Sequence, residues 1–440
     1  MKKIILVIVI ILSTIGFASC NLFSKEPNYK ERDLKYLIAS KNEEKQKYNS
    51  SDEFKNHIYL VNEFATDISE KTFSKYYQKY DRLAISPISI YMALAMATGI
   101  AEKEARIELE NLLGIPYDQI LEYTKYLHSR LNQEFLDGRN KLSFKIQLQN
   151  SLWINDTLQY KKEGVDLLKD SFYTDSYYAP FTRNNKAANN AVKDYVFRNT
   201  KGLINNDYNF DVDTLFLLIN TLYLKDTWNS KGSELSLTSS TYDFINQNNT
   251  TTKTKLLVGY YSDGKIQQED GFEYFHSMTS NGVVIHFIKP TTKTLNEIFN
   301  SDNLSKIIND KNYDYVNDEL KEEYHTRCLF PEFNATFNED IVNILKEEYG
   351  LTEIFKENKA NFNQLTDEDT FVKNIIHQVK LDINKRGIEG AAVTVMPGAG
   401  SSAPREEYKK VYLDFIIDQS FGFIITRSDV VLFSGVVNNL

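Results

Sequence analysis

The stretch IHQVKLDINKRGIEGAAVTVMPGAGSSAPREEYKKVYLDF, from Ile376 to Phe415, decides the fold. It begins and ends as a strand. Between them, Gly387 to Pro404 holds small residues, a few β-branched ones and almost no charge. Side chains alternate across a strand, so Ile388, Gly390, Ala392 and Thr394 share one face. None is charged and three are small. If that face were buried, a Lys or Glu on it would carry an unpaired charge inward at a cost of several kcal/mol. The opposite face, Glu389, Ala391, Val393 and Val395, opens with a charge that can stay outside. Gly387 gives backbone freedom where the strand is expected to turn out of its sheet. A plain surface loop is the alternative for the same residues. The Ala/Val/Thr content, the strand running in and the two strands beyond count against that alternative.

Working outward, YLDFIIDQSFGFIITRSDVVLFSGVVNN predicts two strands around a turn at Arg427-Ser428-Asp429. LFLLINTLYLKDTW, Leu215 to Trp228, is a continuous apolar run and predicts a strand buried on both faces. PISIYMALAMATGI, after Ser86, predicts a helix buried on most sides, with Pro87 opening it by its fixed φ. AEKEARIELENLLG has Ala105, Leu109, Leu112 and Leu113 at helical spacing and Gly114 as a stop, and EDIVNILKEEYGLTEIF gives a helix ending at Gly350. Helices come first and strands dominate later, which argues for an α+β fold and against a doubly wound parallel sheet.

Of 440 residues, 42% are hydrophobic and 25% charged, with 28 Tyr and 27 Phe, an ordinary globular composition leaning to a strand-rich core. A formal charge of −9 and the lack of a basic cluster argue against nucleic acid as a partner. The opening MKKIILVIVIILSTIGFASC has two lysines, an apolar run too short to span a bilayer, and small residues up to Cys20, which predicts an export signal over 1–20. Residues 21–50 are polar and are expected to be a flexible tether, with a short helix around Leu34 to Ile38. From 51 to 440 no linker, low-complexity break or repeat appears, so one large domain is expected. Cys20 and Cys328 are the only cysteines, and six scattered His offer no zinc-ligand cluster, so neither an internal disulfide nor a metal is expected. No nucleophile elbow, Walker loop, zinc helix or CxxC pair occurs. GAGSSA, Gly398 to Ala403, has the look of a phosphate loop but lacks its Lys and its strand-to-helix setting. Neither an enzyme nor a cofactor-binding protein is expected.

Several segments in order resemble one family. They are AISPISIYMALAMATGIAEKEARIELENLLG, QNSLWIN, VKDYVFRNTKGLI, LINTLYLKDTW, CLFPEFNATF with LKEEYGLTEIFKENKANFNQL, FVKNIIHQVKLDINKRGIEGAAVT, and LFSGVVNN. Together, from about Phe54 to Leu440, they resemble the serpins. Phe17-Ala18-Ser19-Cys20 resembles a bacterial lipobox, in which Cys20 is lipidated and becomes the mature N-terminus; Phe17 departs from the usual Leu. The resemblance implies three β-sheets with eight or nine helices and an exposed reactive loop at about 385–409. It also implies suicide inhibition of a serine protease, or of a cysteine protease, with the cut loop inserting into the main sheet. A monomer without cofactor, exported and either lipid-anchored at the cell surface, with Cys20 the only membrane attachment, or in the extracellular space, is the implied setting.

By resemblance, the hinge is Lys385, Gly387, Ile388, Glu389, Gly390, Ala391 and Ala392. The residues governing insertion are Ser86, Ser89, Asn150, Asn220 and His377, with Trp228 at the upper end of the sheet. Lys385 stands where the family usually has Glu, so its partner must differ too. Ile388 replaces a usual Thr or Ser, Gly390 a usual Ala, and Pro397 lacks an N–H inside the ribbon. These departures keep open a non-inhibitory serpin acting as a binding or structural protein. Counting from Lys385 places the reactive bond at Ser401–Ser402, suiting an enzyme with a small pocket. Counting back from Phe421 places it at Arg405–Glu406, suiting a trypsin-like enzyme. The first is preferred.

Overall fold

A computed structural model describes residues 37–39, 52–136, 142–228, 234–310, 316–357, 359, 361–388 and 408–440. The Pro87–Ile100 helix begins with Pro at its first turn after Ser86 in an extended conformation, and all its residues but Ala93 are buried. That follows from aliphatic or small side chains on every face. The Lys103–Leu113 helix buries Ala105, Leu109 and Leu113 and ends at Gly114 with φ 71°; Val342–Tyr349 ends likewise at Gly350 with φ 65°. Both left-handed caps sit where the sequence places a Gly.

Nine α-helices are present among the described residues, with three main β-sheets, in the expected α+β arrangement. The main sheet runs Leu37–Ala39, Thr174–Ala179, Leu142–Asn155, Phe216–Thr227, Gly387–Ile388, Ile376–Asn384, Phe333–Asp340. A single bridge, Thr336 to Leu83, joins it to a second sheet of Arg82–Ile85, Val430–Val437, Phe421–Arg427, Val283–Pro290, Phe272–Met278 and Gln267–Glu269. Two terminal strands form the expected hairpin, with Ser428 and Asp429 at φ 53° and 66° in its turn. At Gly435 a Cβ would lie 2.1 Å from the Leu83 carbonyl oxygen, so only glycine lets the 82–85 strand come this close. A third, six-stranded sheet is built on Glu322–Pro331, which pairs in parallel with Lys409–Ile416. One continuous apolar core serves all of these elements. Cys328 lies buried in it as a free thiol. Among the described residues no helix is long and apolar enough to cross a membrane.

Two expectations change. Instead of the helix expected around Leu34 to Ile38, Leu37–Ala39 is a strand, with Leu37 opposite Tyr177. The Thr174–Ala179 edge offers unpaired backbone groups, and a short extended segment satisfies them. The Phe216–Thr227 strand is not buried throughout: Phe216 to Asn220 are only half-buried. The reason is the state of its neighbour.

Candidate functional site

Strand Ile376–Asn384 has two unlike edges. One pairs antiparallel with Phe333–Asp340 from Ile376 to Ile383. Among the described residues, the other is paired only at Ile383 and Asn384, by the two residues Ile388 and Gly387. Those two also pair with Asp226 and Thr227 at the end of the 216–227 strand. Below them, among the described residues, no strand joins Phe216–Lys225 to Ile376–Asp382. The gap is a cavity of about 380 Å³, with Ser86, Ser89, Asn220, Tyr208 and His377 among its lining.

At the mouth, Lys385 and Arg386 form a turn that reverses the chain and starts it back down between the strands. Gly387 is therefore still in the sheet, not leaving it. The position demands space as well as freedom, since Gly387 has a φ of 157° that L side chains rarely adopt. A Cβ there would lie 2.0 Å from the Asp226 carbonyl oxygen and 2.7 Å from the Thr227 Cα. Ile388, opposite Ile383, is fully buried. The altered charge at Lys385 has its altered partner: its ammonium lies 2.7 Å from Glu234, which also accepts from Arg386 Nε at 2.9 Å. Lys385 and Arg386 hold the Glu234 carboxyl below its ordinary range. The Lys385 backbone N–H donates to Glu332 Oε1 at 2.7 Å, and Trp228 Nε1–H donates to the Asn384 carbonyl at 2.7 Å. The Trp228 ring packs edge-on against Phe330.

Opposite Ile388 lies Asp226, fully buried. Its carboxylate accepts from Thr279 Oγ1 at 2.5 Å, Asn281 Nδ2 at 2.6 Å and the Thr227 and Asn281 amides. Burial nonetheless raises its pKa.

Midway down, the Ser86 amide donates to His377 Nε2 at 3.0 Å, and Ser86 Oγ donates to Ser89 Oγ at 3.0 Å. Burial lowers the His377 pKa to about 3. A neutral ring with its lone pair on Nε2 is what the Ser86 amide requires. Across the gap, Asn220 Nδ2 donates to Asn150 Oδ1 at 2.8 Å, and Asn150 Nδ2 to the Phe172 carbonyl at 2.6 Å. Asn220 Oδ1 is buried and accepts no hydrogen bond among the described residues. Lower still, the segment after the Asn185–Asn199 helix reaches over: Tyr208 Oη donates to Gln378 Oε1 at 2.6 Å, and Asp211 pairs with Lys373.

The structure thus gathers Ser86, Ser89, Asn150, Asn220, His377, Trp228, Lys385, Gly387 and Ile388 around one slot. Glu389, Gly390, Ala391, Ala392, Ser401, Ser402, Arg405, Glu406 and Cys20 lie outside the described residues. Asp226, Glu234, Glu332 and Tyr208 were not legible as site residues. Asp226 left the one usable sign, an acid beside Lys225 near the end of a largely apolar run. Glu234 and Glu332 look like ordinary surface acids, and Tyr208 lies in a polar segment of no evident period.

The family model for serpins, serine protease inhibitors, matches residues 60–440. Serpin-ZX of Arabidopsis thaliana is 25% identical over 405 residues, covering 86% of this chain and 97% of its own length. The structure of Serpin48 from the insect Tenebrio molitor, described as a highly specific serpin, superposes with a TM-score of 0.70 at 16% identity, covering 90% of this chain and 100% of that one. Human thyroxine-binding globulin does so at 0.69 and 21%, covering 88% and 99%. The match over most of the chain, and a main sheet of this topology, show that the chain belongs to the serpin family.

Proposed function

We propose that this chain inhibits a serine protease by letting its loop be cut and then drawing the freed ribbon into the slot. One observation carries this: among the described residues no strand lies between 216–225 and 376–382, and Gly387 and Ile388 are seated at the top of that gap in register with both neighbours. Continuing that register brings Gly390 opposite Leu381 and Leu224, Ala392 opposite Val379 and Leu222, and Thr394 opposite His377 and Asn220. The inward positions then carry small, uncharged side chains against apolar neighbours. Thr394 meets Asn220 Oδ1, the acceptor that lacks a donor. Pro397 falls past Ile376, where only the 216–227 strand remains as a neighbour, so its missing N–H costs little there.

The chemistry before insertion belongs to the protease. Its serine Oγ attacks the carbonyl at the scissile residue, the peptide bond breaks, and the new amine leaves with a proton from the enzyme's general acid. The acyl ester remains on the N-terminal side of the cut, so ribbon and enzyme move together. Ser401–Ser402 is the proposed bond, since a cut there frees a ribbon that spans the slot; Arg405–Glu406 is the alternative. Cys20, if lipidated, would fix the inhibitor to a membrane and place its targets outside the cell.

Incubation with trypsin-type and elastase-type enzymes should give an adduct that survives boiling in SDS. Mass spectrometry of the released C-terminal peptide should begin at Ser402 or at Glu406. Ile388 and Gly390 favour a second possibility, a binding serpin without inhibition. Cleavage with no adduct across a broad panel, and no rise in melting temperature after nicking, would establish that one instead.

A further inference from the structure

Three polar side chains that the slot does not use converge on the third sheet. Strand Ser262–Asp263 pairs antiparallel with Glu322–Pro331, placing Asp263 opposite His325. Glu323, two residues before His325, lies on the same face. His325 Nδ1 is 3.0 Å from Asp263 Oδ1, and its Nε2 is 3.3 Å from Glu323 Oε1. One ligand atom from each residue can be chosen so that all lie within 4.8 Å of one another.

A neutral imidazole has a single N–H and cannot donate to both carboxylates. A proton on Nδ1, toward the nearer Asp263, leaves a lone pair on Nε2 facing the Glu323 carboxylate, and either a second proton or a metal cation can occupy the place between them. Nε2 is shut off from solvent and makes no hydrogen bond among the described residues. Tyr412, stacked on the ring at 5.3 Å, contributes to that cover. The guanidinium next along the strand does not supply the cation, because Arg327 Nε donates to Asp414 at 2.6 Å and the group lies over the Tyr261 ring. Lys410 stands opposite Glu323 and is the competing charge.

We propose that Asp263, Glu323 and His325 form a site for a divalent transition ion of the zinc type. His325 Nε2 and the Glu323 carboxylate are its ligands, and Asp263 orients the imidazole through Nδ1. With metal–ligand distances of about 2.1 Å, neighbouring ligands on a tetrahedral ion sit about 3.4 Å apart, close to the 3.3 Å found here. A carboxylate on the other ring nitrogen is the usual support for such a histidine. Water, or a side chain from a bound partner, completes the ion's shell. The site joins two strands of the sheet that receives the chain again after the loop, at Lys409–Ile416. Asp263 and His325 are far apart in sequence, so spacing gave no hint of it.

The test is a zinc chloride titration of the full, tag-free chain at neutral pH, followed by calorimetry and by melting temperature. One equivalent should bind and raise the melting point. His325→Ala should abolish that binding, and Asp263→Asn should weaken it about 10–100-fold. His128→Ala, on the Tyr117–Leu131 helix, should leave it unchanged. Near-UV dichroism of each variant separates a lost site from a lost fold. Absence of binding to the intact chain, or binding that survives His325→Ala in a folded protein, would overturn the proposal. A pair of carboxylates satisfied only by protonation of His325 would show the first of these.

Discussion

The two edges of the Ile376–Asn384 strand differ in what they have been given. One is zipped to Phe333–Asp340 over nearly its whole length, while the other is closed by two residues at the top and then faces a cavity. Backbone groups along a buried edge cost free energy until paired, so the open edge holds a reserve that the zipped edge has already used. The difference teaches that, among the described residues, the two edges of one strand are satisfied unequally, and the proposed insertion would even them out.

The largest way to break the contrast is a charge on the inward face of the ribbon. Ala392→Glu should carry an unpaired carboxylate to the level of Val379, at a cost of about 3–5 kcal/mol. The rise in melting temperature after nicking should largely vanish, and adduct formation should give way to turnover. A nicked Ala392→Glu chain that melts as high as the nicked parent would mean that Ala392 never enters the sheet.

Acid should act next most strongly. Burial lowers His57 and His377 to about 3 and His276 to about 4. The native state therefore binds fewer protons than the unfolded chain, whose histidines titrate near 6.5. Stability is full above about pH 6.5 and declines as the pH falls toward 4, by up to about 1.4 kcal/mol per unit for each such histidine. The raised carboxyl of Asp226 works in the opposite sense, favouring the fold at low pH until it ionises. His377→Gln should flatten the decline in a series of melting curves from pH 8 to 4. An unchanged slope would mean that His377 is already wetted through the open edge.

Gly387→Ala sharpens the comparison at the mouth. An unstrained Gly→Ala change stabilises by about 0.4–1 kcal/mol, whereas one that meets backbone destabilises by more than that. With the Asp226 carbonyl 2.0 Å from the new Cβ, denaturant titration should show a loss. A gain would show that the turn is not seated between the strands. The smallest effect belongs to Glu234→Gln. Glu234, Lys385 and Arg386 are exposed, and breaking such pairs costs about 0.2–1 kcal/mol. A salt-dependent double-mutant cycle with Lys385→Gln should show that coupling fade at high ionic strength.

What could be read from the sequence depended on whether a residue's surroundings were complete. The Pro87–Ile100 helix and the glycine-capped helices were legible because their burial patterns match the structure that holds them. The 216–227 strand was read as buried throughout, yet its first five residues are half-buried here. An apolar run marks a strand that can be covered, but burial also depends on a neighbour, and among the described residues none lies beside this half of it. Polar partners of the turn, such as Glu234 and Glu332, were illegible because a surface acid acquires meaning only from what the fold brings beside it. Leu37–Ala39 went astray for a related reason, since a free sheet edge outweighs weak local helix preference.

The most direct measurement is hydrogen exchange at the facing edges, residues 216–225 and 376–382, before and after a single cut in the loop. The account predicts that slot-facing amides in both segments, Asn220 and Gln378 among them, slow markedly once the chain is nicked. Exchange there that stays as fast as in the intact protein would contradict it.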